Sequence, residues 1–139
     1  MKRLGSLLVA LSALALTECN EPPGADPVAG FVRAGTDIAV KSVRTAVPLD
    51  ALAGTTDVYY IVTFSFTNNQ GRALAPRIDR FVLEDEQRRH FNGADSGSAT
   101  LVGINNDEGI LEVGESHDYT AGFRVPAGTR GVLFYDNSY

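Results

Sequence analysis

Two histidines, His90 and His117, are the imidazoles available as a general base in this chain, and Cys19 is its one thiol. Nucleophilic catalysis needs such a base beside a nucleophile, with donors for the developing oxyanion. No G-x-S-x-G elbow occurs. His90 follows the charged run Glu84 to Arg89, where a solvated imidazole is expected, and His117 opens a strand-like segment. A zinc centre takes three or four ligands at close spacing, and two histidines with 26 residues between them are poor material for one. Oxygen donors do gather at Asn105, Asp107 and Glu108, followed by Glu112 and Glu115. Their spacing is not that of an EF-hand, so the donors read as a weak calcium candidate set against a solvated polar connection. The expectation is a chain that is not an enzyme and holds no cofactor.

The thiol has a context of its own. Lys2 and Arg3 precede an apolar run of thirteen residues, Leu4 to Leu16, which leads through Thr17 and Glu18 to Cys19. A basic start and an apolar segment of this length form a secretory signal peptide. A bilayer span needs about twenty apolar residues, more than this run supplies. Leu16-Thr17-Glu18-Cys19 resembles the lipobox of bacterial lipoproteins at leucine and cysteine, and departs from it at Glu18, where lipoboxes carry glycine, alanine or serine. Lipidation of Cys19 would hold the chain on a membrane, each buried methylene contributing about 0.8 kcal/mol. Ordinary cleavage, for instance after Ala13-Leu14-Ala15, would instead leave Cys19 as a free thiol. Either route predicts export, with the domain facing the periplasm or the exterior.

Without Lys2, Arg3 and Glu18, 10 basic residues face 16 acidic ones, a net charge of −6. Nucleic acid is therefore not an expected partner, because phosphate contacts need clustered Lys and Arg. One cysteine cannot form a disulfide within the chain, so an exported domain of this size must depend on its own core. Asn20 to Gly30 contains three prolines and two glycines, which suit neither a helix nor a sheet interior. It reads as a linker, extended at roughly 3 Å per residue, ahead of a domain over 31–139.

The elements of that domain are strands. Val58, Tyr60, Val62, Phe64 and Phe66 alternate with Tyr59, Ile61, Thr63, Ser65 and Thr67, a period of two with one face in a core. Asn68 to Gly71 is expected to turn through residues tolerant of positive φ. Further strands are expected from Asp79 to Glu84, from His117 to Val125 and from Val132 to Tyr135, with Thr100 to Ile104 as a weaker one. Pro126 has no N–H for a ladder and must end its strand or lie at an edge. Ile38 and Val40 share a parity that Val43 and Val47 oppose, which predicts a bulge or a switch of sheet. Six or seven short strands in this length of chain indicate an immunoglobulin-like antiparallel β-sandwich.

Several segments then carry a family resemblance. Val62 to Asn69, Phe81 to Asp85 with Arg89-His90-Phe91, Leu111 to Glu115 and Phe123 to Gly128 resemble, in order, the DUF4352 family of telokin-like, immunoglobulin-fold extracellular lipoproteins. Departures are Val113 where that family often has proline and Arg88 where it usually has glycine. The resemblance implies the same fold and location, and supplies no catalytic residues.

Two functions follow as expectations. The first is a binding module, tethered through lipid on Cys19, that meets an envelope or extracellular protein through exposed aromatic residues. Tyr59, Tyr135 and Tyr139 are the candidates. The second is a proteinase inhibitor acting through a rigid loop, either Gly93 to Ser98 or Asn105 to Gly109.

Overall fold

A computed structural model describes residues 28–49, 56–96, 99–106 and 109–138. The alternating segment forms the longest strands of one sheet. β3 (Asp57–Thr67) lies between β2 (Ile38–Ala46) and β6 (Ser116–Pro126), both antiparallel to it. Its inward residues Tyr60, Val62, Phe64 and Phe66 are at most 2% exposed. β6 lies at the edge of the sheet and ends at Pro126, the place where a residue without an N–H does least harm. The parity change in β2 is a bulge, since its register against β3 shifts between Val40 and Ser42. Val43 then turns inward, whereas Val47 lies beyond the strand end and is exposed.

The second sheet runs in the order β1 (Val32–Ala34), β7 (Gly131–Tyr135), β4 (Phe81–Asp85), β5 (His90–Asn92). In an immunoglobulin sandwich the first, second and fifth strands share a sheet, and the third pairs with the sixth in the other. β2, β3 and β6 occupy the former positions, and β4 and β7 the latter. β1 stands beside β7 where a seventh strand would lie, but runs parallel to it. Asp79 and Arg80, expected in a strand, instead belong to a 3-10 turn over Ile78–Arg80 that leads into β4.

The sheets close on an aromatic core with Phe81 at its centre. Its ring lies 4.7 Å from Phe64, 5.2 Å from Phe66, 5.4 Å from Tyr119 and 4.8 Å from Tyr135. A smaller cluster of Tyr59, Ile61, Leu101 and Ile104 sits on the outer face of β3. Thr100 to Ile104 is not a strand: Ala99–Leu101 is a 3-10 turn, followed by a bond from the Ile104 N–H to the Leu101 carbonyl, 3.2 Å. Gly122 permits this layer, because a Cβ there would stand 2.7 Å from both Leu101 methyl groups. Ala94 and the same segment cover the free edge of β6. Ala94 bridges Gly122, and the Asn106 amide exchanges two bonds with the Thr120 backbone, at 2.8 and 2.9 Å. An exposed edge is an aggregation hazard, and here a side-chain amide stands in for a strand.

The domain begins earlier than composition suggests. Phe31 N–H donates to the Val28 carbonyl at 2.9 Å, and Val28 packs against the core, so Val28 to Gly30 belong to the fold and not to the linker. The chain thus enters at one pole, shared by the end of β2, the start of β3 and the β4–β5 hairpin. The opposite pole carries the end of β3 and the start of β6.

Candidate functional site

At the pole opposite the N-terminus, Asn68 is the organising side chain. It is 0% exposed, and its Nδ2 donates to the carbonyls of Leu111 (2.8 Å) and Arg72 (3.0 Å), while Oδ1 accepts from the Gln70 N–H (2.9 Å). Its backbone is bonded to Glu115 and Gly114. Asn68 therefore ends β3 through its side chain and not, as its place in a turn suggests, through a positive φ; the described non-glycine residue with one is Arg88. Gly114, at φ 84°, closes the turn over 112–115, where Glu115 Oε1 accepts from the Glu112 N–H at 2.6 Å. Leu74 and Leu111 bridge across the loops, and Leu111 is buried as a plug. With Leu111 turned in, Ile110 and Val113 turn out, 70% and 57% exposed. The frame holds two aliphatic side chains in water, with Glu112 and Glu115 in the same turn.

At the N-terminal pole, the β4–β5 hairpin turns on Asp85, whose Oδ1 accepts from the N–H groups of Gln87 and Arg89 and whose Oδ2 lies 2.7 Å from Arg89 Nε. Burial pushes the Asp85 carboxyl up, but the Arg89 N–H and guanidinium and the Gln87 N–H outweigh it and leave the pKa below the ordinary aspartate value. Arg88 follows at φ 66°, the position of a three-residue hairpin loop that favours glycine. Arg130 lies over the Phe31 ring at 4.1 Å. Between them, Arg33, Glu84 and Val132 line a groove of about 400 Å³. Val47 and Leu49 stand out beside this pole, 70% and 74% exposed, and the Leu49 N–H donates to Thr100 Oγ1 at 2.8 Å.

The residues expected from sequence to act do not form one site. Tyr59 is not an exposed contact: at 8% it is buried under Leu101 and Ile104, because the 99–106 segment covers that face of β3. Tyr135 is half-buried, stacked on Phe66 at 5.1 Å, and its hydroxyl accepts from the Arg77 N–H at 3.4 Å. Tyr139, Cys19, Asp107 and Glu108 lie outside the described residues. Asn105 is exposed, and among the described residues no three His, Cys, Asp or Glu side chains converge as metal ligands would. His90 pairs with Glu84 at 2.7 Å on the outer face of one sheet; His117 lies against Tyr119 on the other. Of the loops Gly93 to Ser98 and Asn105 to Gly109, the described residues Ala94 and Asn106 are bonded to β6. Ile110, Val113, Val47 and Leu49 were not singled out for contact from sequence. Their signal is an aliphatic side chain set among glycine, proline and carboxylates outside any alternating run.

Among the described residues no helix is long and apolar enough to cross a membrane. No family model matches the chain, and no curated protein matches it. Among solved structures, it is similar to a Bacillus subtilis protein described, provisionally, as a lipoprotein (ycdA), with a TM-score of 0.54 and 17% identity over 73% of this chain. The match covers 31% of that protein, so the chain spans about a third of its length. At this identity the likeness speaks for the fold alone.

Proposed function

We propose that this chain is a non-catalytic, extracytoplasmic binding module held on a membrane by lipid on Cys19, and that it meets an envelope or extracellular protein through the pole opposite its tether. The observation that carries this reading is the polarity of the domain. Val28 packs against the core at one end, and at the other end Ile110 and Val113 are held exposed on a frame fixed by Asn68. Hydrophobic side chains on a rigid, solvent-facing turn are the kind that become buried in an interface. The signal-like N-terminus, the resemblance to DUF4352 and the likeness to a protein described as a lipoprotein all support the same placement.

Two measurements test the reading. The intact mass of the protein from a membrane fraction is expected to equal Cys19 to Tyr139 plus acyl groups, and Cys19→Ala is expected to lose both the acyl mass and the membrane attachment. A soluble, unlipidated mass would refute the tether. A photo-crosslinker at position 110 in intact cells is expected to give a discrete adduct that Val113→Asp weakens; the same adduct from position 92, on the outer face of the second sheet, would refute the choice of pole.

A further inference from the structure

The N-terminal pole has its own surface chemistry. Three arginines there, Arg33, Arg88 and Arg130, make no ion pair among the described residues, while Arg89 is paired with Asp85 and Arg124 with Asp57. Glu84 is taken by His90, which leaves Glu86 as an unpaired carboxylate beside them. The opposite pole carries Asp37, Glu112 and Glu115 together with Arg72, Arg77 and Arg80, of which Arg77 is paired with Asp79 and Arg80 donates to the Ser138 carbonyl. The exposed aliphatic residues Val47 and Leu49 flank the N-terminal pole.

We propose that this pole docks on the anionic surface of the membrane that holds the tether, with Val47 and Leu49 entering the headgroup layer and Arg33, Arg88 and Arg130 facing lipid phosphates. The inference rests on the tethered reading above. Eight residues, Asn20 to Pro27, lie between Cys19 and Val28; a chain of that length spans at most about 25 Å at roughly 3 Å per residue. That length lets the pole reach the bilayer and leaves little room for a folded partner between them. Aliphatic tips combined with basic side chains suit an anionic interface. The tether joins the domain at this pole, which gives the docked domain one orientation and leaves Ile110 and Val113 pointing away.

The chain contains no tryptophan, so one introduced indole reports its own surroundings. Leu49→Trp and Val113→Trp both replace exposed residues. Each full-chain protein, purified with whatever lipid it carries, is mixed with vesicles containing phosphatidylglycerol and with vesicles of phosphatidylcholine alone. Expected is a blue shift and quenching by brominated lipid for Leu49→Trp on the anionic vesicles, and neither for Val113→Trp. Adding Arg88→Glu should lower the docked fraction about five-fold or more, since each basic residue near an anionic surface is worth roughly that factor, and rising salt should act in the same direction. A Leu49→Trp indole that stays water-exposed on vesicles with which the chain floats overturns docking and leaves the tether standing. Blue shifts at both positions, or no dependence on anionic lipid, also overturn it. The intact mass decides the tether separately. If the chain carries no lipid, it is added to the same vesicles from solution, where a missing Leu49→Trp shift overturns docking without further assumption.

Discussion

Asn68 illustrates how much a single buried amide can decide. Its two donors satisfy carbonyls of loops 4 and 43 residues away, and its acceptor caps the Gln70 N–H. Asn68→Ala leaves those groups unpaired and is expected to cost about 2–4 kcal/mol, read by chemical denaturation. Asn68→Asp keeps the shape but sets a carboxylate against two carbonyls, so it should be at least as destabilising at neutral pH. Sequence placed this residue at the correct turn for the wrong reason, because a propensity for positive φ is visible in composition and a hydrogen bond to Leu111 is not. Arg88 shows the converse. Its departure from a family pattern that favours glycine was visible, and the structure places it at φ 66°. Arg88→Gly should relieve a backbone cost of roughly 1–2 kcal/mol, partly offset by the entropy of glycine, for a net gain of several tenths to about 1 kcal/mol. Acid sensitivity belongs to the same scale. Asp85 is held low by the balance described above, Asp118 chiefly by the Lys41 ammonium, and Asp136 chiefly by the Ser138 hydroxyl. Their folded pKa values lie below the unfolded ones, so in acid the unfolded chain takes up protons first. The stability they contribute is complete above the unfolded aspartate value of about 3.9 and is lost as pH falls through the folded values. Asp85→Asn should therefore flatten the acid limb of a stability-versus-pH curve; an unchanged limb would assign the hairpin bonds no role in it.

At the scale of elements, what was legible follows from length and period. β3 and β6 are long enough for alternation to name their inward residues, and the bulge in β2 was readable as a change of parity between Val40 and Val43. β1 and β5 were not, since three residues carry no period and their existence depends on β7 and β4 lying beside them. The 99–106 segment was misassigned because its apolar residues Leu101 and Ile104 bury against an outer sheet face rather than within a strand. Two glycines test these packings separately. A Cβ on Gly131 would strike the carbonyl oxygen of Glu84, a backbone atom of the neighbouring strand that cannot swing aside. Gly131→Ala should cost about 1–3 kcal/mol and loosen the β4–β7 pairing. Gly122→Ala meets the end of the Leu101 side chain instead, so it should cost less in global stability yet raise proteolysis within residues 99–106. Equal global losses would mean that the outer layer is as integral as the central pairing.

For the whole molecule, stability and contact are assigned to different regions. No disulfide can form within the chain, and the sandwich is held by a core in which Phe81 touches four other rings. Phe81→Ala removes the centre of that cluster and should cost about 3–5 kcal/mol, a large share of the 5–15 kcal/mol, roughly, that domains of this kind possess. The β signature of the domain in circular dichroism and its crosslink from position 110 should be lost together. Val113→Asp changes a side chain that is 57% exposed on a turn already fixed by Gly114 and Asn68. Its stability should stay within about 0.5 kcal/mol of the parent, while the crosslink from position 110 is weakened. The pair separates a turn that supports binding from a core that supports the fold. If Val113→Asp melts the domain as Phe81→Ala does, the exposed turn is part of the core's support and the assignment of contact to that pole fails; if the crosslink survives an intact Val113→Asp fold, the contact lies elsewhere on the sandwich.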